Sequence, residues 1–196
     1  MALRLVIFDL DGTLVDSGLD FDAIRHEIGL TPGTPILEAM TAMADHDRER
    51  ASDVLDRYET AAAGRARLMP GAAELLDGLR ASDVKVAILT RNSRTSVERV
   101  CRRHGLRFDA VVAREDKHPK PHPGGVHHLM QTCGAAADET VVVGDFRFDV
   151  EAGNAAGCRT VALLSDPQKW QGDGATWKTH TLDEVGRILA ELIAEE

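Results

Sequence analysis

Short apolar runs that end in polar loops, with helical periodicity between them, constrain this chain more than any other feature. Leu3–Phe8 ends at Asp9-Leu10-Asp11-Gly12-Thr13, Lys85–Leu89 at Thr90-Arg91-Asn92, and Thr140–Val143 at Gly144-Asp145; Asp109–Ala113 and Arg159–Leu164 are two more such runs. A strand that is apolar on both sides belongs in a sheet covered on both faces, and alternation with helices makes that sheet parallel. Helical patterns at Ala72–Arg80, Ser93–His104 (stopped by Gly105), Gly124–Cys133, Val150–Ala156 and Leu182–Ala194 supply the covering layers. Thr181 and Glu184 have capping-box spacing at the start of the last helix. The expected fold class is α/β, a doubly wound parallel sheet of about five strands. Ligands of such sheets gather at the carboxyl ends of the strands, where the polar signals of this chain fall.

The alternation breaks between Ser17 and Leu68. Helical patterns at Phe21–Ile28, Ile36–Ala44 and Asp47–Ala66 follow one another, with a turn at Thr31-Pro32-Gly33 and no strand-like run. This reads as a small all-α cap, residues 17–68, inserted after the first strand of a core made of residues 1–16 and 69–196. Its hinges fall near Asp16-Ser17 and Met69-Pro70-Gly71. Asp166–Lys178, polar and Gly-containing with Trp170 and Trp177, reads as a surface loop.

With 196 residues and a formal net charge of −9, the chain lacks the clustered Lys and Arg of a nucleic-acid-binding surface. A small anionic substrate needs only one local positive pocket. Cys101, Cys133 and Cys158 are scattered, which fits reduced thiols better than a disulfide framework. The N-terminal MALRLVIFDLDGT is too short and acidic for a signal peptide, and no apolar run reaches membrane-span length, so a cytoplasmic enzyme without a membrane partner is expected.

Phosphoryl transfer needs a nucleophile, neutralisation of the phosphoryl charge and an acid for the leaving group. Asp9 and Asp11 face the same way only if the chain turns sharply after the strand, which Gly12 permits. Carboxylates this close to one another and to Asp145 repel unless a cation sits among them, and Mg²⁺ prefers such oxygen ligands. Each piece has a plainer reading alone. A DxD is often a turn, Thr90-Arg91-Asn92 a helix cap, Lys120 a solvated lysine, and Asp145 with Asp149 a first-turn pair facing a helix dipole. Their joint placement at strand ends, in this order, favours the chemical reading.

The motifs resemble those of the haloacid-dehalogenase-like superfamily across essentially the whole chain. Asp9-Leu10-Asp11-Gly12-Thr13-Leu14-Val15-Asp16-Ser17 looks like its first motif and Thr90-Arg91-Asn92 its second. Lys120-Pro121-His122-Pro123 looks like the third, and Gly144-Asp145-Phe146-Arg147-Phe148-Asp149 the fourth. The inserted helices are similar to the C1-type cap of the subfamily containing phosphoglycolate phosphatase and β-phosphoglucomutase. The resemblance implies a Rossmann-like core and a Mg²⁺-dependent phosphatase that hydrolyses a small phosphorylated metabolite through an aspartyl-phosphate. It implies Asp9 as nucleophile, Asp11 as acid and then base, and Lys120 as the neutralising cation. Thr90, with the amides of Arg91 and Asn92, would hold phosphoryl oxygens alongside Lys120. Asp9, the Asp11 carbonyl and Asp145 would bind Mg²⁺, with Asp149 close behind. Asp11 would need a raised pKa, which neighbouring carboxylates can provide.

This sequence departs from the family pattern in placing Phe146 where Ser is usual and in a short cap. Arg25, in the cap's first helix, is a candidate contact for a substrate carboxylate or second phosphate; a solvated helix face is the plainer reading. His122, His127 and His128 lack Cys or carboxylate partners at zinc-ligand spacing. Three rival activities fit parts of the pattern. A dehalogenase would also use Asp9 but has no acid at the position of Asp11. A phosphomutase of the β-phosphoglucomutase type would share the motifs, and a non-catalytic phosphate-binding protein would share the scaffold.

Overall fold

A computed structural model describes residues 2–116, 119–164 and 172–194. Six parallel strands form the main sheet: β1 (Leu5–Phe8), β4 (Lys85–Leu89), β5 (Ala110–Val112), β6 (Thr140–Gly144), β7 (Arg159–Leu163) and β8 (Trp177–Thr179). Their order is β5-β4-β1-β6-β7-β8. The chain therefore winds outward from β1 on one side, then returns to β6 and winds outward on the other. That reversal places a crevice at the carboxyl ends of β1 and β6, the position where doubly wound sheets bind ligands.

Alternation along each strand divides the core in two. Val6, Phe8, Val86, Ile88, Val141, Val143, Val161 and Leu163 face α4 (Ala72–Ala81), α5 (Arg94–His104) and α8 (Leu182–Ala194). Leu5, Ile7, Ala87, Leu89 and Val142 face α6 (Gly124–Cys133) and α7 (Arg147–Ala155). The central strands β1, β4 and β6 are thus apolar on both sides, as a sheet sandwiched between helical layers requires. Thr181 caps α8 as its spacing predicted, with the Glu184 amide donating to Thr181 Oγ1 at 3.2 Å and the Thr181 amide to Glu184 Oε2 at 3.3 Å.

Two expectations need correction. The loop expected over 166–178 ends in a strand: Trp177–Thr179 pairs with Val161–Leu163 and gives the parallel sheet its sixth, edge strand. Three residues containing a lysine give no apolar run to read. Residues 166–171 of that loop, with Trp170, lie outside the described residues. The stretch after β1 is also not purely helical: β2 (Val15–Asp16) pairs antiparallel with β3 (Arg67–Leu68). This two-residue ribbon brings the two ends of the insertion side by side. Between its strands lie α1 (Phe21–Glu27), α2 (Ile36–Thr41) and α3 (Asp45–Arg65). Ile24, Ile36, Met40, Ala51 and Leu55 give these helices a small core of their own.

The fit of α7 against β6 and β7 depends on Gly153, where a Cβ would lie 2.5 Å from Thr160 Cγ2 and 3.1 Å from Val142 Cβ. Gly153→Ala should lower the unfolding free energy by about 1–3 kcal/mol through overpacking, read as a reduced urea midpoint at unchanged m-value.

Candidate active site

The polar strand ends converge in the crevice. The Asp9 amide donates to the Val143 carbonyl at 2.9 Å, extending the β1–β6 ladder by one step. Asp9 therefore leaves the sheet beside Gly144 and Asp145. Gly12 has φ +84°, and a Cβ there would lie 2.2 Å from Asp145 Oδ2, so only glycine lets this loop close against that carboxylate. Gly144 does the same for Asp149, whose Cγ would lie 2.1 Å from an added Cβ. As a result one carboxylate oxygen from each of Asp9, Asp145 and Asp149 lies within 4.8 Å of the others. Lys120 enters from the loop before α6. Its Nζ lies 2.9 Å from Asp9 Oδ1 and donates to Asp149 Oδ1, with Lys120 and Asp149 both buried.

Three carboxylates face one ammonium, and their protonation reflects it. Burial opposes the Lys120 charge, but Asp149 and Asp9 outweigh it and hold the lysine above its ordinary pKa. Burial pushes the Asp145 carboxyl up to about 8, and the charges of Asp9 and Asp149 add to the shift. Asp149 is pushed up to about 6, again chiefly by burial, with Lys120 pulling the other way. Excess negative charge on hard oxygen donors is what a divalent cation neutralises, so the residues present fit one.

Asp11 stands apart from this cluster. Its Oδ1 accepts from the Ser17 amide at 3.0 Å and its Oδ2 from the Ser17 hydroxyl at 2.7 Å. Burial raises its pKa against those two hydrogen bonds, with Asp9 a smaller contributor. The direction is the one an acid requires; the main cause is burial rather than the neighbouring carboxylates. A serine hydroxyl can donate to a carboxylate or accept from a carboxylic acid, so Ser17 suits both protonation states.

Thr90 is buried at the end of β4, and its Oγ1 accepts from the Asn92 amide at 3.2 Å. The Arg91 side chain runs towards α2. Its Nη1 and Nη2 donate to Glu38 Oε1 and Oε2 at 2.8 and 2.7 Å, and Nη1 also donates to the Lys120 carbonyl at 2.9 Å. Arg25 is engaged within its own helical segment, with Nε on the Thr34 carbonyl at 2.9 Å and Nη1 on Asp22 at 2.7 Å. Phe146 leaves its ring exposed, while its amide donates to Asp149 Oδ2 at 3.0 Å. A backbone group thus holds Asp149 without help from a serine at that position.

Sequence reasoning missed the residues that tie α1–α3 to the sheet. Glu59 of α3, buried, accepts from the Ser93 amide at 2.9 Å and pairs with Arg114. Glu59 lies on a helix rich in acids and Glu38 is the single acid of α2, so nothing in the pattern marks either as a partner of the core. Ser17 belongs to the first motif, but its partner Asp11 is visible only once the loop is folded.

The family model for haloacid dehalogenase-like hydrolases matches residues 6–163, spanning all four polar motifs. The chain belongs to this family. Among its haloacid dehalogenase-like relatives, a hydrolase domain-containing protein of Arabidopsis thaliana is 29% identical over 95% of this chain and 84% of its own. A phosphoglycolate phosphatase of Pseudomonas savastanoi pv. phaseolicola is 33% identical over 82% of this chain and 69% of its own. A solved hydrolase from Pseudomonas syringae superposes with a TM-score of 0.79 at 22% identity, covering 96% of this chain and 98% of that one. Among the described residues no helix is long and apolar enough to cross a membrane.

Because the Asp145 carboxyl is raised to about 8, a cation that binds it must displace a proton near neutral pH. Divalent-cation affinity should therefore rise from pH 6 to 9, and titration calorimetry at pH 7 in buffers of different ionisation enthalpy should show proton release on binding. Proton-neutral binding would remove the acidic cluster as the cation site.

Proposed function

We propose that this protein is a Mg²⁺-dependent phosphatase acting on a small phosphate monoester through an aspartyl-phosphate. The observation that carries the reading is the separation of two carboxylates of one loop. Asp9 faces the Lys120 ammonium, the partner an attacking carboxylate needs, while Asp11 is half-buried against Ser17 with its pKa raised by burial. Two carboxyl groups given such different surroundings are the arrangement of a nucleophile beside a general acid. Curated relatives named as phosphatases support the same substrate class.

In this mechanism an Asp9 oxygen attacks phosphorus, the bond to the ester oxygen breaks, and Asp11 delivers its proton to that oxygen. Asp11, now ionised, takes a proton from water, which attacks the aspartyl-phosphate and releases phosphate and free Asp9. Lys120 neutralises Asp9 and the incoming phosphoryl group, and Thr90 with the amides of Arg91 and Asn92 holds phosphoryl oxygens. Asp9, Asp145 and the Asp11 carbonyl would hold Mg²⁺, with Asp149 behind them, and the bound ion supplies further neutralisation of the phosphoryl charge.

Residues 17–68 act in this reading as a cap over a core of residues 1–16 and 69–196. The Glu59 contacts anchor α3, α1 and α2 pack on α3 through their shared small core, and the polar tie of this part to the core domain runs through the half-exposed pair of Glu38 with Arg91. Arg25 holds the α1–α2 connection in shape, and closure of this part excludes water and sets specificity.

Asp9→Asn should lower p-nitrophenyl phosphate turnover by a factor on the order of a thousand or more, with the circular dichroism spectrum unchanged. Substantial remaining activity would remove Asp9 as nucleophile. Asp11→Asn should slow alkyl phosphates by about 10²–10⁴, because their leaving groups need the proton. With p-nitrophenyl phosphate the same variant should give a fast burst of p-nitrophenolate and then slow turnover, since only the second step still lacks its base. Exposed substitutions in 17–68, and Arg25→Ala, should change kcat/KM by different factors across a panel of esters. A uniform factor would leave no specificity role for this segment.

A further inference from the structure

Arg91 and Arg147 both lie against the ring of Phe148, with guanidinium carbons 4.8 and 5.0 Å from its centroid. Their pairing differs. Arg91 holds both oxygens of Glu38 in a bidentate pair and reaches the Lys120 carbonyl. Arg147 has no hydrogen-bond or ion-pair partner among the described residues, and its Nε is buried without one. A buried donor left unsatisfied is destabilising, and a structure that keeps one commonly reserves it for something not yet bound.

Glu38 is the only acid paired with this cluster among the described residues, and it comes from the segment over the site rather than from the sheet. Its side chain stays 47% exposed. Burial works against its charge, but Arg91 and, further out, Arg147 outweigh that and hold it below the usual carboxylate range. Glu38 therefore pairs with Arg91 alone, and Arg147 acts on it only at longer range. The cluster is also close to the chemistry. The same lysine whose carbonyl accepts from Arg91 places its Nζ 2.9 Å from Asp9.

We propose that Arg91 and Arg147, stacked on Phe148, form a subsite for a carboxylate of the substrate, which Glu38 fills while the substrate is absent. The proposal rests on the phosphatase reading and narrows it to short phosphate esters carrying a carboxylate at the other end. A planar two-oxygen anion matches the guanidinium fork, as Glu38 already does, and a second such anion reaches the free Arg147 donors. Substrate binding then exchanges one carboxylate for another and releases α2 from Arg91.

The test is calorimetric binding of propylphosphonate and phosphonopropanoate, with Mg²⁺ present, at a pH where both phosphonates are dianionic. The wild-type protein should bind the carboxylated compound about tenfold more tightly, the worth of one or two charge-assisted hydrogen bonds. Arg147→Gln should abolish most of that ratio. Glu38→Gln should widen it, because the internal competitor is gone, whereas a purely structural Glu38 would leave it unchanged. Equal affinities in both wild type and Glu38→Gln, or a ratio that survives Arg147→Gln, would overturn the subsite. If the ratio behaves as expected but p-nitrophenyl phosphate is not hydrolysed, the subsite stands and the phosphatase reading falls.

Discussion

A single buried ammonium organises this molecule's polar centre. Lys120 bonds Asp9 at the end of β1 and Asp149 in the first turn of α7, so one side chain ties together two elements that meet only at the crevice. Removing such a charge would leave its partners buried and uncompensated, which is far costlier than the pair itself is stabilising. The glycines follow from it. Gly12 and Gly144 have no Cβ because the carboxylates around Lys120 occupy that space. Burial raises the pKa values of Asp145 and Asp149 and the neighbouring carboxylates add to the shift, while Lys120 pulls both down without cancelling it.

The helical segment is held to the core by the opposite device, carboxylates that leave their own segment. Glu59 reaches the amide of Ser93, which itself caps α5, so α3 is fixed at the helix that follows the Thr90 loop. Glu38 reaches Arg91 in that loop. One contact is buried and the other half-exposed. Exposed pairs contribute little to stability and exchange readily with solvent or ligand.

What was legible in the sequence was local. Asp9, Asp11, Thr90, Lys120, Asp145 and Asp149 stand at strand ends or in short motifs beside them, and the apolar runs before them mark where the sheet stops. The family assignment followed from the same stretches. The contacts missed join distant parts of the chain: Glu38 with Arg91, Glu59 with Arg114, and Phe148 with Arg91. No periodicity reports a pairing between an acid on a helix and an arginine in a loop, because either residue is satisfied by water when seen alone. β8 escaped for a different reason: an edge strand of three residues carries too little pattern to distinguish it from a loop. Phe146 looked like a defect in its motif because side chains are what motifs record, while the bond to Asp149 is made by the backbone.

The ribbon of β2 and β3 is only two residues deep, and the residue that leaves it is Ser17. Ser17 is also the residue that grips both oxygens of Asp11. The end of the ribbon and the clasp on the Asp11 carboxyl are therefore adjacent links of one chain. Any displacement of the ribbon reaches Asp11 through one peptide unit and two hydrogen bonds, so the position of the helical segment and the surroundings of the Asp11 carboxyl are coupled.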